Sequence, residues 1–517
     1  MYLDEKIKFL IKNLEQKKYN EVIIECETLI KNKQKNYEIY NIYGLALQKQ
    51  RLFTKSIEAL KESIKINPKN FIAMNNLAIS LKNNSEIAEA EKNYLSCLEL
   101  NPNYVQALVN LSLLKEQKRE INEAITLLQK AELLTSGLIK TDILLKLSYL
   151  NSVVGNLNQA KLILEKILKE NPKNIAALIN ISKLANDGDN KEFVKKMQEI
   201  ILSDKITPKG KSLLSFAIGN IYERFYDYEK AFSFFKQGNE IKKNLVTSNY
   251  TDIIEIKKSI INYFENFNFE KIKKTPLKGQ VIFICGIPRS GTSLLEKIIS
   301  SHSKVFSTGE NGILSKILGN FFFKDKKFSE DNLLQEINSK DDKIQALYFK
   351  ELKKFYTFKE KILTDKSMLN IFWIGFIKIF FPNSKILILK RNKRDIFLSI
   401  YKTDFNDNFM NWAYSKYEIF NIINAYSELI SFFQKKFSND IHIVEYKKLI
   451  DTPEDEIKKI INICNLDWDP NCLRHNQSSV PIQTASLFQA SKPIYKSSLN
   501  LSQNYYSFFQ DVFDQLN

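Results

Sequence analysis

The chain has 517 residues, enough for two or three domains that each bury a core, and its 44% hydrophobic and 12% aromatic content excludes disorder along most of its length. Lys+Arg 76 against Asp+Glu 59 gives a net charge of +17, which favours anionic ligands. Lys, Asn and Ile are abundant throughout while Gly and Pro are few, and no arginine–aromatic patch stands out, so the charge does not point to nucleic acid.

The opening MYLDEKIKFLIKNLEQ mixes charges with apolar residues and is not a secretory h-region. Beyond it the chain is periodic. INPKN, LNPNY and ENPKN place Pro68 and Pro102 34 residues apart, and Pro172 70 further on, twice 35. Twelve residues before each proline stands Ser56, Ala90 or Ala160, and twenty-four before stands Gly44, Ala78 or Ser148. Small residues in those phases suit the close approach of paired helices. Ala124 keeps the phase in a unit without the proline, and SLLSFAIGNIYERFYDYEKAFSFFKQGNE (212–240) repeats it with Gly219 and Ala231. This pattern resembles the tetratricopeptide repeat over residues 1–245. The resemblance implies an all-α superhelix whose concave surface meets a partner. That partner is expected to be a protein or glycan acceptor, or a second copy of the chain in a homodimer; a plain scaffold is an equal expectation. Residues 246–278 read as a connecting helix and a lysine-rich linker.

The second half opens on VIFICGIPRSGTSLLEKIIS (281–300). A β-branched run predicts a strand, Gly286 and Gly291 bound a small loop, and Leu294, Leu295, Ile298 and Ile299 predict a helix. Small residues let backbone N–H groups turn inward, and the helix N-terminus adds its positive end, so the loop is a phosphate cradle. It reads G-I-P-R-S-G-T-S and lacks the lysine of a nucleotide triphosphatase. Arg289, Thr292 and Ser293 would grip one phosphate and the group attached to it.

These residues resemble the 5′-phosphosulfate loop of sulfotransferases that use 3′-phosphoadenosine 5′-phosphosulfate (PAPS). The similarity is to the tyrosylprotein sulfotransferases and their repeat-bearing bacterial relatives, and it spans 279–500. It implies that Arg289, Ser290, Gly291, Thr292 and Ser293 bind the donor. SSHSKVFSTGENGIL (300–314) places Glu310 where the family holds its catalytic base. TDKSMLNIFW (364–373) puts Lys366 at the lysine contacting the transferred group, and RNKRDIFLSIYK (391–402) gives Arg391 and Ser399 for the 3′-phosphate. Tyr446 corresponds to a tyrosine near the cofactor, and TASLFQASKPIYKSS (484–498) supplies Ser486 and Lys492 in a segment that closes over the donor. Two departures are a serine at 293 for the usual threonine, and no tryptophan after Lys492–Pro493.

The resemblance implies an α + α/β chain: the repeat superhelix, then residues 279–517 as a P-loop-like α/β domain with a mostly parallel central sheet. The implied reaction moves a sulfuryl group from PAPS to a hydroxyl by in-line displacement. In it Arg289 and Lys366 stabilise the leaving charge without a metal, and Glu310 acts as base with its pKa raised by buried neighbours. Every implied donor contact lies in 279–517. The alternatives are a nucleotide-binding scaffold without turnover and a small-molecule kinase. His302, at a turn after the loop helix, is expected to cap rather than catalyse, and His442 to pack in a strand. The five scattered cysteines form no disulfide framework, and the three histidines do not suggest a structural zinc. The apolar run IFWIGFIKIFF (371–381) is short and broken by Lys378, so no membrane span and a cytoplasmic location are expected.

Overall fold

Helical hairpins run from Tyr2 to Leu245 in a computed structural model that describes residues 2–185, 187–269, 280–324, 327–338, 343–359, 361–478, 480, 490, 493–496 and 499–516. The chain forms two compact units, Met1–Leu150 with Lys353–Tyr356, and Asn151–Leu352 with Thr357–Asn517.

In the first unit the small-residue phase has a direct cause. Helices Tyr37–Lys49 and Phe53–Ile66 cross so closely that a Cβ on Gly44 would lie 2.5 Å from Leu60 Cγ. Ser56 Oγ donates to the Gly44 carbonyl at 2.7 Å across the same contact. Ala78, Ala90 and Ala124 are fully buried in the hairpins that follow. Pro68 and Pro102 come just after Asn67 and Asn101, the residues that cap the preceding helices at their C-termini. They cannot continue a helix, and Asn70 starts the next one by accepting from the Ala73 amide at 3.1 Å.

The second unit begins with further hairpins, including Pro208–Arg224 with Tyr228–Leu245, where a Cβ on Gly219 would lie 2.6 Å from the Phe235 ring. Helix Tyr250–Glu265 then buries Phe264 edge-on against Phe376, with ring centroids 5.1 Å apart. Gly375 makes room for it, since a Cβ there would stand 2.6 Å from the Phe264 ring. The connecting helix is thus part of the core beside the sheet.

The strands are β1 (Val281–Gly286), β2 (Val305–Ser307), β3 (Phe323–Lys324), β4 (Lys327–Phe328), β5 (Ile362–Lys366), β6 (Lys385–Lys390) and β7 (Ile441–Glu445). Strands β3 and β4 form a small antiparallel ribbon. The others form one sheet in the order β2-β5-β1-β6-β7, parallel at every pairing. Every residue of β1 is buried, as a strand covered on both faces requires. From β1 the chain leaves toward β2, and from β5 it crosses to β6 on the other side. That reversal leaves a crevice at the carboxyl end of β1, where open α/β sheets bind ligands.

All five cysteines are free and buried. Among the described residues no helix is long and apolar enough to cross a membrane.

Candidate active site

The loop after β1 is shaped by two backbone positions with positive φ, Arg289 at +71° and Gly291 at +110°. The Ser290 amide donates to the Ile287 carbonyl at 3.0 Å and closes the turn. Helix Thr292–Ser300 then starts directly beneath it. A Cβ on Gly286 would meet Ser290 Oγ at 2.7 Å, and one on Gly291 would meet the Tyr446 ring at 2.7 Å. Only glycine fits either place. Ser290 is fully buried and its hydroxyl has no hydrogen-bond partner among the described residues, an unmet donor beside a positive helix end.

Two guanidinium groups meet on one side of this loop. Arg289 Nε donates to Ser399 Oγ at 3.0 Å, and Arg391 Nη1 donates to the Arg289 carbonyl at 3.3 Å. Arg391 also lies over the Tyr446 ring, its Cζ 4.6 Å from the centroid. Burial, and then the like charge of Arg391, push the Arg289 pKa down to about 10, so it remains a cation at neutral pH. A cavity here is lined by Arg289, Gly291, Ser293, Arg391, Ser399 and Tyr446, together with Leu294, Asp395, Leu398, Lys402, Ile450, Ala490, Pro493, Ile494, Tyr495 and Leu501. Asp395 does not neutralise it freely, because its two oxygens accept from the Asn500 and Ser502 amides at 2.9 and 3.0 Å.

A second cluster lies at the end of β5. Lys366, 2% exposed, contacts the Glu310 carboxylate and donates to Ser293 Oγ at 3.2 Å. The Glu310 side chain is 33% exposed, and the buried neighbour it meets is the Lys366 cation. Asp365, next along the strand, faces elsewhere. It accepts from Tyr348 Oη at 2.7 Å, Asn370 Nδ2 at 2.9 Å and Asn311 Nδ2 at 3.2 Å, and burial raises its pKa. Glu296, buried on the loop helix, accepts from Ser307 Oγ at 2.8 Å, the Gly309 amide at 3.1 Å and Thr364 Oγ1 at 3.2 Å. It thereby ties the turn before Glu310 to β2 and β5.

Residues 281–470, which hold the loop and both clusters, match a family model described as "Sulfotransferase family", and residues 37–70 and 59–92 match models of the tetratricopeptide repeat. The chain joins tetratricopeptide repeats to a sulfotransferase-family domain. An uncharacterized protein of Aquifex aeolicus (strain VF5) is 27% identical over 386 residues, covering 72% of this chain and 50% of its own. Protein-tyrosine sulfotransferase A of Caenorhabditis elegans is 24% identical over 204 residues, 38% of this chain and 52% of its own. The chain therefore spans half, or little more, of the length of these two relatives. The solved sulfotransferase domain from the curacin biosynthetic pathway is 17% identical, with a TM-score of 0.29, covering 46% of this chain and 99% of that one.

In the sulfotransferase domain, six of the residues singled out from sequence line the one cavity, while Ser290 and Thr292 belong to its loop without lining it. Glu310 and Lys366 join it through Ser293. Ser486 and Lys492 lie outside the described residues. His302 is buried; its Nδ1 accepts from the Lys304 amide at 3.0 Å while Nε2 donates to the Asp467 carbonyl at 2.9 Å. Both ring nitrogens are engaged, which leaves it a capping residue. Motif reading missed Glu296, Tyr495 and Lys402. Glu296 sits among apolar residues of the loop helix, and only its burial reveals it.

Proposed function

We propose that this protein transfers the sulfuryl group of PAPS to a hydroxyl of a protein or glycan acceptor, with Glu310 as the general base. The observation that carries the reading is the meeting of Arg289 and Arg391 at one cavity beside a glycine loop. Two like charges held that close favour a polyanion with two separate anionic groups. The residues present fit such a donor: the cradle has no Cβ at Gly286 or Gly291, and Ser290 carries an unmet hydroxyl. When bound, PAPS supplies the activated sulfuryl group on its 5′-phosphate.

The chain's own groups would then divide the work. The loop amides, Ser290 and Thr292 hold the 5′-phosphate, while Arg391 and Ser399 hold the 3′-phosphate. Ser486 and Lys492 are proposed to close over the nucleotide. Glu310 takes the acceptor proton as the acceptor oxygen bonds to sulfur. Arg289 and Lys366 stabilise the negative charge left on the phosphate oxygen when its bond to sulfur breaks. Lys366 touches both Glu310 and Ser293, so it links the base to the loop. The name of the nematode relative, protein-tyrosine sulfotransferase, favours a tyrosyl acceptor.

Calorimetry tests the donor assignment. 3′-Phosphoadenosine 5′-phosphate (PAP) should bind the wild type ~10–100-fold more tightly than AMP, the worth of a charge-assisted phosphate contact. Arg391→Met should cut that preference sharply. Equal affinities for PAP and AMP in the wild type would remove the reading.

A further inference from the structure

Lys402 ends the string RNKRDIFLSIYK with no role implied for it, yet it lines the same cavity as Arg391 and Ser399. It caps helix Lys393–Tyr401 one turn beyond Ser399, on the same face. Its Nζ lies 2.5 Å from Glu223 Oε1, with the two side chains only 12% and 14% exposed. Glu223 comes from helix Pro208–Arg224, one of the hairpin helices that precede the sheet. The other Glu223 oxygen accepts from Tyr505 Oη at 3.0 Å, so the carboxylate is anchored independently of Lys402. The other helix of that hairpin, Tyr228–Leu245, is fastened to the same end of Lys393–Tyr401: Asn239 Nδ2 donates to the Tyr401 carbonyl at 2.8 Å, and Lys242 pairs with Asp404 at 2.8 Å.

This geometry places a third cation beside two guanidiniums that already repel each other. A carboxylate from the helical array offsets it. An ammonium has three N–H donors, and one partner leaves donors that an anion can take. We propose that Lys402 is a third cation for the 3′-phosphate side of the donor cavity, and that Glu223 restrains its charge, so the last hairpin sets donor affinity. The proposal rests on the PAPS reading above. It makes the hairpin a working part of the donor site rather than an attached arm.

A double-mutant cycle on the full chain tests it, with PAP and AMP titrated calorimetrically into the wild type, E223Q, K402M and E223Q/K402M. E223Q should tighten PAP roughly 5-fold, since a buried negative charge near the anion is removed. K402M should weaken PAP about 10-fold in both backgrounds, with AMP shifting by no more than ~2-fold, because AMP lacks the 3′-phosphate. K402R should stay within ~3-fold of wild type, which separates lost charge from lost packing. The inference is overturned if K402M is silent in the E223Q background, which would make Lys402 only the neutraliser of Glu223. It is equally overturned if E223Q leaves PAP affinity unchanged or weakens it. Failure of the PAPS reading shows separately, as a wild type that does not prefer PAP to AMP.

Discussion

Gly291→Ala strikes the point where the loop, the tyrosine and the second arginine meet. Gly291 has φ +110°, beyond the left-handed region that L-residues tolerate, and holding alanine there costs ~1–3 kcal/mol. The new methyl would also lie 2.7 Å from Tyr446 Cδ2 and Cε2, and 3.0 Å from Leu389 Cδ2. Neither neighbour yields easily: both are buried, and Tyr446 carries the Arg391 guanidinium on its face. Overpacking of this kind adds ~1–3 kcal/mol. The total, ~2–6 kcal/mol, is a large share of the stability of a typical domain and displaces Arg391 along with the ring. Thermal and urea unfolding followed by circular dichroism should show the loss, and calorimetry should show PAP binding weakened at least ~10-fold. Adding Tyr446→Ala relieves the clash but not the backbone strain, so the double variant should lose further binding without recovering full stability. A G291A protein with wild-type Tm and PAP affinity would refute the reasoning.

Phe264→Ala should destabilise the second unit by ~3–5 kcal/mol, measured by urea unfolding, because it empties the aromatic contact with Phe376. For the same reason residues 279–517 alone should fail to give a cooperative transition, whereas 151–517 should unfold cooperatively and bind PAP. Asp365 has a folded pKa raised above 3.8 by burial, so its contribution to stability is full below that value and is lost as pH rises through the folded one. Urea midpoints of the wild type should therefore fall relative to Asp365→Asn as pH climbs above ~4, and parallel curves would contradict the assignment. Arg289 titrates at about 10, so PAP affinity should decline as pH rises through that value, measured by calorimetry in the range where circular dichroism shows the fold intact.

The repeats were readable because stacking imposes a fixed period, and Gly44 and Gly219 show the sterics behind it: each faces a large side chain across the hairpin. The loop was readable because strand, glycines and helix start are contiguous. Residues joined only by the fold were not. Glu223 and Lys402 lie 179 positions apart, and nothing in the strings that hold them points to their pairing. Helix Tyr250–Glu265 reads as a connector, but its Phe264 completes the core beside the sheet, a role set by the space over Gly375. Asp365 stands next to Lys366 in the sequence, but strand alternation turns the two apart, and Glu310 pairs with Lys366 instead.

Transfer of labelled sulfate tests the central claim most directly. Full-length protein is incubated with a lysate and isotope-labelled PAPS, and products are read by mass spectrometry. Wild type should place the label on a hydroxyl of a protein or glycan, with PAP released. Glu310→Gln should lower the transfer rate ~10²–10⁴-fold, as loss of a general base does, while leaving PAP affinity nearly unchanged. Absence of any labelled product with folded wild-type protein that binds PAP, or transfer of phosphate from ATP instead, would contradict the account.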